Sequence, residues 1–145
     1  MTALNEYSQK DILAFIEGEW GSFPKRFNPS DIFESLGITG DDAWDFIENY
    51  SARFKVDLSS FLWYFHADEE GMNIPGGIVF TPPSARVKRI PISVMLLLES
   101  ANAGRWMLEY PPHTLPKWRY DLFINLSFLF AFLAALTAWL AFKIF

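Results

Sequence analysis

The run Leu122 to Phe142, LFINLSFLFAFLAALTAWLAF, holds 21 residues without a charge, and it restricts this chain more than any other feature. At about 1.5 Å of rise per residue a helix of that length covers roughly 31 Å, close to the hydrocarbon thickness of a bilayer. Asn125, Ser127, Thr137 and Trp139 are its only side chains able to hydrogen-bond, and a helix tolerates each of them in lipid. Lys117, Trp118, Arg119 and Tyr120 at one end and Trp139 near the other suit the two membrane interfaces. The competing readings are a buried core helix or a hydrophobic partner-binding helix. A core helix that is apolar all round needs a large domain to cover it, and only about 120 residues remain. The run therefore predicts a single transmembrane helix at 122–142.

The remaining sequence divides into a domain at 1–106 and a Pro-rich juxtamembrane linker at 107–121, stiffened by Pro111, Pro112 and Pro116. Glu6, Asp11 and Glu17, with no long apolar run among them, argue against a signal peptide, so the domain is expected first and the anchor last. Residues 1–85 hold 14 acids and 5 bases, whereas residues 86–145 hold 3 acids and 7 bases. The net charge of −5 conceals this separation. Arg105, Lys117 and Arg119 precede the span and only Lys143 follows it. The positive-inside rule then places the domain in the cytoplasm, with Ile144 and Phe145 on the far side. No cysteine is present, which excludes disulfides, thiolate metal sites and cysteine catalysis.

Local signals predict a mainly α domain. Ser8 to Asp11 reads as a capping box, followed by Ile12, Leu13, Phe15, Ile16 and Trp20 on one face, with Gly21 and Pro24 ending the segment. Asn28-Pro29-Ser30-Asp31 opens a short turn that Gly37 stops. Gly40-Asp41-Asp42 starts a helix to about Phe54, whose core face is read as Ala43, Trp44, Phe46, Ile47, Tyr50 and Phe54. Val56 to Phe65 is ambiguous between strand and helix. Ile78-Val79-Phe80 is strand-like and could pair with Val87–Ile90 in a small hairpin. Ser93 caps a last helix with Val94, Leu97, Leu98 and Ala101 at core spacing, stopped by Gly104.

The order of these elements resembles an acyl carrier protein bundle over roughly residues 8–104. The anchors are Leu36-Gly37, the acidic helix Asp41–Phe54 and Ile92-Ser93-Val94. Glu34-Ser35-Leu36 looks like the carrier Asp-Ser-Leu, but in carrier proteins the prosthetic-group serine follows the leucine of Leu-Gly by four positions. Leu36 plus four is Gly40, and alignment on Phe54 gives Gly40 as well. The resemblance therefore implies a carrier-like domain whose phosphopantetheine position is a glycine, with Ser35 one turn early and Thr39 one place early. The chain is still more similar to a family of small enteric bacterial proteins known as an acyl-carrier-like domain of unknown function. Matching residues are Phe27-Asn28-Pro29 with Asp31-Ile32, Leu36 to Ala43, Trp63-Tyr64-Phe65-His66 and Arg89 to Val94.

Enzyme chemistry finds little support. His66 reads as a half-buried polar contact among aromatics, and His113 marks no site. Asp41, Asp42 and Asp45 lack the glycine and terminal glutamate of a calcium loop. Pro75-Gly76-Gly77 lacks the Lys-Ser/Thr of a phosphate loop and reads as a turn. Arg86, Lys88 and Arg89 suit either anionic headgroups or solvent. No catalytic residue, cofactor or metal is expected. An uninterrupted acidic stretch, with no Lys or Arg from Phe27 to Ala52, repels nucleic acid and suits a basic protein partner. Three functions follow. The favoured one is a membrane-anchored, non-enzymatic carrier-like domain that contacts an unidentified basic cytoplasmic or membrane protein through Asp41, Asp42, Asp45 and Glu48. The others are a genuine acyl carrier modified at Ser35, and an immunity-like subunit or inhibitor of a membrane complex.

Overall fold

The computed structural model describes residues 6–144, so the first five residues of the expected domain, and Phe145 beyond the span, lie outside it. Among the described residues there are six α-helices: α1 Gln9–Trp20, α2 Ile32–Leu36, α3 Gly40–Phe54, α4 Gly76–Val79, α5 Val94–Ala103 and α6 Tyr120–Ile144. Trp63–Phe65 and Ser84–Arg86 form single 3-10 turns. The chain is thus a small helical bundle followed by one long apolar helix.

The boundaries follow local chemistry. At α1 the Asp11 carboxylate accepts from the Ser8 N–H at 2.8 Å and from the Ser8 hydroxyl at 2.7 Å. Asp31 caps α2 by accepting from the Glu34 N–H, and Gly37 ends it in the left-handed region at φ 70°. Ser93 accepts from the Leu96 N–H to start α5, which Gly104 ends at φ 67°.

The core is built by Ile12 and Ile16 of α1, Phe46, Ile47, Tyr50 and Phe54 of α3, and Val94, Leu97 and Ala101 of α5, with Ile38, Val56, Ile92 and Trp106 from the connections. Tyr50 is fully buried, and its hydroxyl donates to the Leu97 carbonyl at 2.5 Å, which removes the cost of burying it. A pair of main-chain bonds at Asp57 ties the end of α3 to Gly104 and Trp106 after α5. Trp106 is buried, and Leu108 and Tyr110 pack against the same core, so the first part of the 107–119 segment adheres to the bundle.

Three expectations are corrected. No strand forms among the described residues. Ile78 and Val79 lie in α4 because Gly77 N bonds to Asn73 O and Ile78 N to Pro75 O, a helical turn, while Pro82 and Pro83 deny the next segment ladder donors. Trp44 does not join the core face of α3, being 48% exposed. It lies about 100° around the helix from Ala43, off the axis shared by Phe46, Ile47, Tyr50 and Phe54. Val56 to Phe65 is neither strand nor α-helix: one 3-10 turn, Trp63–Phe65, closes it.

The helix α6 runs four residues longer than the charge-free stretch, and its 25 residues cover roughly 37 Å. Its apolar window has nothing packed over it, and it is long and apolar enough to cross a membrane. A core helix would be covered, so that competing reading fails.

Candidate functional site

Asp41, Trp44, Asp45 and Glu48 recur at i, i+3, i+4 and i+7 along α3, so all four share one outward face, and all four are exposed. Asp42 is also exposed, beside this stripe. Trp44, within the stripe, also lines a cleft of about 860 Å³ next to the start of α3. Phe33, Phe61, Trp63 and Met72 give the cleft apolar walls, Asp41, Asp68, Glu69 and Glu70 give it an acidic rim, and Leu122 and Asn125 of α6 close one side.

Gly40 lies in that cleft at the first position of α3, with φ 54°. Its N–H bonds to the Asp68 carbonyl at 3.2 Å, and a Cβ built on it would overlap the Cβ, Cγ and Cδ of Glu70. The position is therefore glycine for two reasons, a left-handed backbone and a segment folded over it. Gly40→Ser is expected to cost about 1–2 kcal/mol, read as a lower urea midpoint at unchanged slope.

Ser35 stands apart. Its hydroxyl donates to Ile32 O at 3.3 Å in its own turn or to Asn28 O at 3.4 Å ahead of α2, and it does not line the cleft. The neighbouring acid Asp31 takes both Arg89 guanidinium nitrogens, at 2.6 and 2.7 Å, and Arg89 holds the Asp31 carboxyl below the usual carboxylate range. Arg89 is thus committed to Asp31 and to the His66 carbonyl, so neither headgroup nor solvent claims its guanidinium alone. Nothing in the sequence pattern joined these residues, which lie 58 positions apart.

His66 is 2% exposed, more deeply placed than its sequence context implied. The Tyr110 oxygen accepts from Leu62 N–H at 3.1 Å and from Trp106 Nε1–H at 3.0 Å. Both lone pairs being used, the Tyr110 hydroxyl donates to His66 Nε2 at 2.7 Å. Nδ1 then carries the ring proton and donates to the Ile90 carbonyl at 2.8 Å. Burial, with Arg89 adding a smaller push, lowers the His66 pKa to about 4. A ring so locked is structural. His113 bonds the Tyr64 hydroxyl at 2.7 Å on the exposed linker.

At the other end of the cleft Arg119 bridges Glu69, at 2.5 and 2.8 Å, and Asp121, at 2.9 and 2.5 Å. Tyr120 stacks on Phe80 with centroids 5.4 Å apart. Lys117 sits over the Trp118 ring, and Lys143 over the Trp139 ring at 4.9 Å, so each end of α6 carries an aromatic-cation pair. Among the described residues no group of three or more His, Asp or Glu side chains is placed to hold a metal ion.

The site is thus an acidic helix with an exposed tryptophan, on a small bundle that continues into one helix long and apolar enough to cross a membrane. The family of proteins of unknown function (DUF1493) matches residues 8–109, and the chain belongs to it. The match ends before α6 begins. No curated protein and no solved structure matches the chain.

Proposed function

We propose that this protein is a membrane-anchored, non-enzymatic, acyl-carrier-like domain that works by docking the α3 stripe onto a basic surface of a cytoplasmic or membrane protein. The observation that carries it is Trp44, a large aromatic left in water beside Asp41, Asp45 and Glu48. Interfaces concentrate their energy in such aromatic anchors, while surrounding charge steers the encounter. Gly40 offers no hydroxyl at the carrier position, and Glu70 covers it, which supports a domain without prosthetic group. The uncovered α6 supports anchoring to a bacterial inner membrane, and the excess of Arg and Lys before the span supports a cytoplasmic domain.

The test is in-cell photocrosslinking from Glu48, with identification of the captured protein. Trp44→Ala is expected to reduce capture at least tenfold, and Asp41→Lys with Asp45→Lys to abolish it, with circular dichroism unchanged. Equal capture by the folded variants would overturn the proposal.

A further inference from the structure

Gly71 to Ala85 is a second charge-free stretch, 15 residues long, and it exposes apolar side chains rather than burying them. Met72 is 88%, Ile78 77% and Val79 62% exposed, with Ile74 beside them. Soluble surfaces rarely leave four such side chains bare within eight residues of chain. The same stretch is bolted to the beginning of α6. Asn125 donates to Asn73 Oδ1 and accepts from the Gly76 N–H, both at 2.7 Å, and Asn73 donates to Asp121 Oδ2 at 2.7 Å.

The depth of α4 follows from Asn125. This residue stands four positions beyond Asp121, about 6 Å along the helix and inside the charge-free run. An amide there needs partners that water does not supply, and α4 supplies them. The Gly76 N–H, a helix-end donor with no partner inside α4, is satisfied in return. We propose that Ile74–Phe80 is a second membrane-seated element, an apolar knob whose Ile74, Ile78 and Val79 side chains enter the headgroup–acyl boundary of the leaflet through which α6 passes. Lipid is the occupant because the stretch is hydrogen-bonded to the start of the bare apolar α6, carries no charge, and meets α6 at Asn125, beyond Lys117 and Arg119. Two seats fix the tilt of the bundle, so the cleft and the α3 stripe hold a set orientation to the membrane rather than swinging on a tether. This inference rests on reading α6 as a membrane span.

The cysteine-free chain permits a direct test. Spin labels are placed singly by Ile78→Cys, Val79→Cys, Leu133→Cys in mid-span and Lys10→Cys on α1, in the full chain in phosphatidylethanolamine–phosphatidylglycerol vesicles. Collisions with oxygen are expected to dominate over those with a water-soluble nickel chelate at 78, 79 and 133, and the ratio to reverse at 10. Nickel access at 78 and 79 equal to that at 10, with 133 still in lipid, overturns the knob alone and leaves the patch to a protein partner or second copy. Nickel access at 133 removes the span, and the knob with it.

Discussion

Acidification from pH 7 to pH 4 is expected to strip roughly 3 kcal/mol from the stability of the bundle through His66 alone. The folded ring titrates at about 4 because burial disfavours the cation, while the unfolded ring titrates at its ordinary 6.5. Below 6.5 the unfolded chain binds a proton that the folded chain refuses. Stability is therefore complete above 6.5 and declines as pH falls toward 4. Asp31 works in a different window: its lowered pKa makes a contribution that is kept above the ordinary 3.8 and lost only below it. The slope between 6.5 and 4 thus isolates the histidine. Urea unfolding of the detergent-solubilised full chain, followed by tryptophan fluorescence, measures it. His66→Asn retains a donor toward Ile90 without a titrating ring, and should lose stability at pH 7 while flattening the slope. An unchanged slope in that variant would show that His66 is not the group that carries it. Tyr110→Phe attacks the same network from its hub, orphaning Leu62 N–H, Trp106 Nε1–H and His66 Nε2 together, and should cost about 2–4 kcal/mol at pH 7.

What the sequence made legible was local. Ser8 with Asp11, Asp31 before α2, Gly37, Ser93 and Gly104 are all caps, set by residues within four positions of one another, and each falls where the structure has it. The charge-free run is equally local, and α6 contains all of it. Trp44 was readable but misassigned to the core: the spacing that groups Asp41, Asp45 and Glu48 also sets Trp44 toward them. Hydrophobicity alone pulled it inward, and the core-face angle should have decided. The Arg89–Asp31 pair, the His66–Tyr110 pair and the Asn73–Asn125 joint link residues 44 to 58 positions apart. No periodicity encodes a contact of that range. The joint also explains the hairpin error, since Ile78 and Val79 have a strand-like composition but take their conformation from α6.

Gly76→Ala is the substitution expected to break that joint. A Cβ at Gly76 would overlap the main-chain carbonyl of Asp121, and the Asn125 amide lies close behind it. A helix backbone cannot give way as the end of a lysine could, so α4 must leave. Its departure removes the Gly76–Asn125 bond and both Asn73 bonds together, a loss of about 3 kcal/mol. The core does not depend on α4, so the loss is a local opening rather than global unfolding. Hydrogen exchange reads it directly: the Ile78 and Phe80 amides, bonded to Pro75 O and Gly76 O, should exchange about 100-fold faster. Amides of α3 and α5 should keep their protection. Gly18→Ala is the matched control, because a Cβ there meets nothing within 4 Å and lies inside α1. The same added methyl should then stabilise by about 0.5–1 kcal/mol. Unchanged exchange at Ile78 and Phe80 would mean that α4 does not rest on α6. The bundle would then be tied to α6 only through the linker and the Arg119–Glu69 pair.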